Sequence, residues 1–252
     1  MASSLVWISG ASGGIGQALA QTVPWENARV IGISRERPSG AMDHLRADLA
    51  DPSTWSMVGA SFRRELDDFT GEQVAFIHAA GANEPIGFAG EVNEVNSDAY
   101  LRNVVVNSAA PQVLGQLFLA AVQSLDAHRY LIMLTSGAAQ TVYPGWSSYG
   151  AGKAALDQWV RNVGAEQAQR GGVQVISVAP GSVDTAFQQQ LRDTLERDFP
   201  SRQKFLDLYK QGKLSDPQDV AEQIWRLTSL DLNNGSVIDL RKLDMGQTDK
   251  PA

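Results

Sequence analysis

The apolar run Leu5-Val6-Trp7-Ile8 passes through Ser9-Gly10-Ala11-Ser12-Gly13-Gly14-Ile15-Gly16 into a helical pattern that Pro24 stops. A buried strand that enters a helix through a glycine turn opens a βαβ unit, and this restricts the chain to folds built around a covered parallel sheet. The rest of the sequence keeps the alternation. Strands are predicted at 5–9, 29–33, 44–48, 73–78, 129–135, 173–179 and 236–240, with helices at 14–23, 53–68, 98–124, 149–170 and 217–229. The expected fold is a single α/β domain over residues 1–252, a Rossmann fold with a doubly wound, seven-stranded parallel sheet. Residues 186–212 also read as helical, but they fall between the sixth strand and the last helix, where an insertion can form a lid over a site.

A chain of 252 residues, 43% hydrophobic and 19% charged, holds one well-buried core without a linker. Its 28 acidic and 21 basic side chains give a formal charge of -7, and there is no basic stripe, which argues against nucleic acid or a membrane surface as partner. The absence of cysteine excludes disulfide and thiolate chemistry and suits a reducing compartment. His44, His78 and His128 are too scattered to suggest a metal site. No charged segment followed by a long apolar stretch opens the chain, and the apolar runs read as too short to cross a bilayer. The expectation is a cytoplasmic protein.

The turn after the first strand puts Gly10, Gly14 and Gly16 where a dinucleotide pyrophosphate meets a helix N-terminus. Glycine lets the backbone of this turn, with Ser12 and Ile15, approach the phosphates, and free amides and the helix dipole favour their charge. After the second strand, where an acidic residue selects NAD, stands Ser34-Arg35-Glu36-Arg37. The planar fork of Arg35 suits a 2′-phosphate, with Ser34 and Ser12 as hydroxyl donors, so NADP(H) is the predicted cofactor. Asp48-Leu49, after the third strand, is expected to border the adenine.

Tyr149 and Lys153 stand four residues apart at the start of a predicted helix, thirteen and seventeen residues after Ser136. Positions i and i+4 share a helix face, so the ammonium can lie beside the phenol. An isolated phenol titrates near pH 10, and a cation beside it favours phenolate. The pair is therefore expected to bring the Tyr149 pKa down toward the working pH of a general acid, by roughly 3–4 kcal/mol of preferential stabilisation.

Taken in order, Gly10, Gly14 and Gly16, then Ala80-Gly81, Asn107, Ser136, Tyr149, Lys153 and Pro180-Gly181 with Thr185 resemble the short-chain dehydrogenase/reductase family over nearly the whole chain. The resemblance implies that Tyr149 protonates a carbonyl oxygen as hydride arrives from the nicotinamide, while Ser136 hydrogen-bonds that oxygen. It implies that Lys153 holds the nicotinamide ribose and lowers the Tyr149 pKa, and that Asn107 fixes a water linking Lys153 to solvent. Val183 would bind the nicotinamide amide through its backbone, and Thr185 would contact phosphate. Pro111 lacks an amide donor and is expected to disturb the helix around Asn107. Where the family often has Asn-Asn-Ala-Gly, this chain has His78-Ala79-Ala80-Gly81, and His78 reads as a hydrogen-bonded strand-end residue, not a catalytic group.

Stretches 181–188, 212–217 and 234–239 resemble the sepiapterin reductase and bacterial benzil reductase branch. That implies NADPH-dependent reduction of a small-molecule ketone, an aromatic or vicinal dicarbonyl such as benzil. The acid that holds the pterin in sepiapterin reductases has Asp239, Asp244 or no counterpart here. Tyr143, Trp146, Phe187 and Leu191 are the candidate substrate contacts, with a core role equally open for Trp146. The competing readings are a pterin reductase, an alcohol dehydrogenase working toward oxidation, and an NADP-binding sensor without turnover. Ser34-Arg35 weighs against the oxidative reading, and the set Asn107, Ser136, Tyr149 and Lys153 weighs against the sensor. The family commonly pairs subunits through helices corresponding to 98–124 and 149–170, which implies a homodimer or homotetramer.

Overall fold

The computed structural model describes residues 2–40, 42–91 and 97–243. Its sheet comprises β1 (Ser4–Ser9), β2 (Ala28–Ser34), β3 (Asp43–Arg46), β4 (Gln73–His78), β5 (His128–Leu134), β6 (Gln174–Ala179) and β7 (Val237–Asp239). All neighbours are parallel, in the order β3-β2-β1-β4-β5-β6-β7. Each predicted strand is present. The third begins and ends earlier than expected, because the Asp48 carboxylate accepts the Ala50 amide at 3.0 Å and turns the chain out of the sheet.

The strands read as unbroken apolar runs because both faces of the sheet are covered. Leu5 and Trp7 of β1, Val74 and Phe76 of β4, and Leu131 and Met133 of β5 face one core. That core is completed by α2 (Trp55–Leu66), α4 (Ala110–Val122) and α5 (Ser147–Arg170). The alternate residues Val6, Ile8, Ala75, Ile77, Ile132 and Leu134 face a second core closed by α1 (Gly14–Gln21) and α8 (Pro217–Arg226).

A helix α3 (Ser97–Val104) continues through a π-helical segment, Val105–Ala109, into α4. Contrary to the expectation that every apolar run is too short, Ser97–Val122 is long and apolar enough to cross a membrane by length and composition, with a mean hydropathy of 1.4 over its most apolar window. In this fold Ala110, Leu114, Phe118 and Val122 of that run pack into the first core, so its apolar character is used against the sheet.

The chain leaves β1 and β4 toward opposite edges of the sheet, which opens a crevice beyond their carboxyl ends. Residues 186–212 contain α6 (Ala186–Asp193) and α7 (Arg202–Lys210). Leu191, Phe199 and Phe205 from this segment pack with Ala138, Trp146 and Tyr149 in a third apolar cluster above the crevice.

Candidate active site

A cavity of about 580 Å³ runs along the carboxyl edge of the sheet. Its central floor is bare backbone. Gly10 adopts φ 70°, and a Cβ there would lie 2.9 Å from the Ala80 amide nitrogen. A Cβ at Gly16 would come within 2.3 Å of the Gly10 carbonyl oxygen, so no side chain fits where α1 meets β1. Thr185 closes this floor from the opposite loop: its Cγ2 lies 3.1 Å from the Cβ position of Gly14, and its hydroxyl accepts the Gln188 amide at 3.4 Å to cap α6. Ile15, Ala80, Gly81, Pro180, Gly181 and Val183 line the same stretch, and Ser12, Ser34, Arg35, Asp48 and Leu49 line the cavity beyond β1–β3.

At the other end, beyond β5 and the start of α5, lie Ser136, Tyr149 and Lys153 with Tyr143, Trp146, Phe187 and Leu191. Ser136 lies two residues beyond β5 and accepts the Ala138 amide at 3.2 Å. Trp146 precedes α5 and stacks on Tyr149 at 4.4 Å between ring centroids, with its indole N–H donating to Asn83 Oδ1 at 2.9 Å. Trp146 is buried in the third cluster and also walls the cavity. The Lys153 ammonium donates to the Leu134 carbonyl at 2.9 Å and lies 5.8 Å from the Tyr149 ring centroid.

Of the predicted catalytic residues only Asn107 does not line the cavity; it is fully buried behind it. Its Nδ2 donates to the Ala82 carbonyl at 2.8 Å and to Asn103 Oδ1 at 3.0 Å, and its Oδ1 accepts the Ala82 amide at 3.1 Å. The Asn107 side chain therefore braces the loop after β4. Its backbone carbonyl is placed differently, because Pro111 has no N–H to return to it, and this helix is π-helical at that point.

The model of the short chain dehydrogenase family matches residues 4–196. The chain belongs to the short-chain dehydrogenase family. It is 30% identical over 239 residues to a benzil reductase, (S)-benzoin forming, of Bacillus subtilis, covering 93% of this chain and 97% of that protein. It is 27% identical to a sepiapterin reductase of Xenopus laevis, covering 95% and 96%. A short-chain dehydrogenase/reductase structure from Saccharomyces cerevisiae superposes with a TM-score of 0.79 at 20% identity, covering 94% of this chain and 96% of that one. This short-chain dehydrogenase is accordingly an oxidoreductase of the C=O/CH–OH couple that uses a nicotinamide dinucleotide.

The residues present fit that cofactor. The bare turn at Gly10–Gly16 leaves room for a pyrophosphate over the α1 amides, with nothing within 4 Å of a Cβ placed at Gly13. When bound, the dinucleotide supplies hydride to the carbonyl carbon. Arg35 would hold its adenine ribose end, where the Ser34 hydroxyl is already donated to the Glu36 carbonyl at 2.6 Å, Thr185 its phosphates, and Val183 and Lys153 its nicotinamide end. At the opposite end of the cavity the hydroxyl groups of Tyr149 and Ser136 are side-chain groups able to donate to a carbonyl oxygen.

The electrostatics correct one expectation. Burial pushes the Tyr149 phenol up to about 12, with Ser136 acting in the lowering direction, and Lys153 does not bring it below 10. Burial likewise draws Lys153 down to about 8, with Asp157, one turn further along α5, acting to raise it. Two groups that share a dry pocket each lose hydration when charged, and here that loss outweighs their attraction.

His78 behaves as the sequence suggests. Ser9 Oγ accepts the amides of Ala79 and Ala80 at 3.1 and 3.2 Å, so its hydrogen goes to His78 Nδ1, 3.0 Å away. Burial holds the imidazole neutral, with a pKa of about 3. The pair ties the ends of β1 and β4 together.

Several residues in and behind the cavity escaped the sequence reading. Arg102 reaches from α3 to both carboxylate oxygens of Asp48 at 3.2 Å. Asn83 donates to the Phe187 carbonyl at 3.0 Å and so ties the β4 loop to the lid. Asn103, one turn before Asn107, gathers the Asn107 and Ser148 side chains and the Ala82 and Glu84 carbonyls, and the four-residue spacing of two asparagines was its only sequence signal. Asp239 does not line the large cavity but a smaller neighbouring one, and pairs with Arg241; Asp244 lies outside the described residues.

Proposed function

We propose that this chain is an NADPH-dependent carbonyl reductase acting on an aromatic ketone or vicinal dicarbonyl of the benzil type. The observation that carries the reading is the convergence of Tyr149, Ser136 and Lys153 in one cavity with the Gly10–Gly16 turn. Tyr149 keeps its proton throughout the neutral range, which is the form a reductase needs. Trp146, Phe187, Leu191 and Phe205 give the adjoining wall the aromatic and aliphatic surface that flat rings pack against. Arg35 at the far end of the cavity supports NADP over NAD, since its fork suits a 2′-phosphate. A pterin reductase is less favoured because Asp239 lines the smaller neighbouring cavity and its carboxylate is taken up by Arg241. The lack of cysteine supports a cytoplasmic location, and the family resemblance a homodimer or homotetramer.

Loss of the NADPH absorbance band with benzil, a pterin and other diketones tests the reading on three proteins. Wild type is expected to oxidise NADPH with benzil, and Tyr149→Phe to lose at least about a hundredfold in kcat while still binding cofactor. Arg35→Ala should weaken NADPH by about tenfold or more and leave NADH little changed. Cofactor binding with no turnover on any compound would favour the sensor instead, and equal losses for NADPH and NADH would remove the 2′-phosphate role.

A further inference from the structure

Arg241 stands at the substrate end of the large cavity. It belongs to the single 3₁₀ turn Leu240–Lys242 that follows β7. Its side chain lies across two glycines: a Cβ at Gly137 would be 3.2 Å from Nη2, and one at Gly181 would be 3.2 Å from Cδ. Gly137 follows Ser136, and Gly181 sits in the loop that follows β6. The guanidinium is therefore held between the hydroxyl that binds the reacting carbonyl and the loop that faces the nicotinamide.

Asp239 fixes its orientation. Arg241 Nε donates to Oδ1 at 2.8 Å and Nη2 to Oδ2 at 2.6 Å, while the Arg241 amide donates to Oδ1 at 3.1 Å. Of the five N–H bonds of a guanidinium, Asp239 takes one from Nε and one from Nη2, leaving three for a ligand. Among the described residues the guanidinium has no other hydrogen-bond partner, and the side chain is 55% exposed. The other cations lining the cavity are engaged elsewhere: Arg35 and Arg102 lie at the adenine end, and Lys153 is bound to the Leu134 carbonyl. Lys204 donates to the Tyr143 hydroxyl at 3.0 Å and lies over the Tyr143 and Phe205 rings, and Glu84 also lines the cavity.

We infer that Arg241 is a specificity-determining residue, receiving a second acceptor oxygen on the carbon next to the reacting carbonyl, as in a vicinal diketone or a 2-oxo carboxylate. The inference rests on the carbonyl reductase reading. With the first oxygen between Ser136 and Tyr149, the neighbouring oxygen is one bond further along and meets a fixed cation. A charge-assisted hydrogen bond there orients the substrate and draws electron density from the carbon that takes the hydride. A ketone with a hydrocarbon group in that place gains nothing from Arg241.

Arg241→Met is assayed with benzil and with deoxybenzoin, which has the same two-ring skeleton and one carbonyl. Benzil is intrinsically the more electrophilic, so the deciding quantity is how the variant changes each kcat/KM relative to wild type. The expected loss is about ten- to a hundredfold for benzil and less than about threefold for deoxybenzoin. Equal losses on both, or an unchanged value for benzil, would overturn the inference. Phenylglyoxylate separates the two sources of the second oxygen: a loss larger than that on benzil identifies a carboxylate as the better ligand, and a smaller one identifies a ketone oxygen. Dissociation constants of the three compounds for NADP-loaded protein, by calorimetry, yield the same comparison without turnover. If wild type oxidises NADPH with none of them, the reductase reading falls, and the binding comparison still decides the role of Arg241.

Discussion

Phenol and ammonium one helical turn apart attract each other as phenolate and ammonium, yet Tyr149 and Lys153 are only 6% and 3% exposed. Removal from water acts on each separately and favours the neutral form of both. The consequence is a pH dependence set by Lys153. Its folded pKa of about 8 means that it is charged below that pH and neutral above it, while Tyr149, at about 12, keeps its proton in either case. If the charged lysine is needed to hold the nicotinamide ribose, kcat/KM for ketone reduction is level from pH 6 to 7 and falls above about 8, approaching a tenfold loss per pH unit. A profile that stays level to pH 10 would show that the Lys153 charge is not required. Proximity of the two residues was legible in their four-residue spacing. The winner between attraction and desolvation was not, because it depends on how Trp146, Phe187 and the lid exclude water.

Among the elements, the strands were the easiest to read, since a parallel sheet covered on both faces demands apolar residues along the inner parts of β1 (5–8), β4 (74–77) and β5 (131–134). The π segment at Val105–Ala109 was legible only as a disturbance near Pro111. Its form follows from the missing amide: with no donor at residue 111, the Ala110 amide reaches back five residues to the Val105 carbonyl. Both Nδ2 hydrogens of Asn107 are used and Oδ1 already accepts the Ala82 amide, so the Asn107 backbone carbonyl, which lacks the residue-111 donor, is the better-placed acceptor for a proton path from Lys153. Pro111→Ala restores the amide that would occupy this carbonyl. The variant is expected to melt a few degrees higher, because a proline is removed from a helix interior, while kcat for reduction falls several-fold. Thermal denaturation and steady-state rates measured on the same preparation check both, and a stabilised variant with undiminished kcat would rule out this carbonyl as part of the path.

At the scale of the molecule, the order of glycines, serine, tyrosine and lysine along the chain was enough to place a dinucleotide crevice at the carboxyl edge of the sheet. Arg241, Asn83 and Gln188 line that crevice from β7, the β4 loop and the lid, and no spacing in the sequence links them. The outer surface raises a separate question. Of the large apolar side chains left exposed, Leu101 (65%), Val104 (45%) and Val113 (39%) all lie on the α3–α4 run, and α3 and α4 both pack beside α5. Isolated exposed apolar residues are ordinary, but three on the run expected to pair subunits suit a covered surface better than a wet one. Light scattering at micromolar concentration is expected to give a dimer or tetramer mass for wild type. Leu101→Glu combined with Val104→Glu places two carboxylates where apolar contact is expected and should shift the mass toward 27.2 kDa, with the far-UV spectrum unchanged. Wild type at the monomer mass would refute pairing through these helices, and so would a double variant that keeps the wild-type mass.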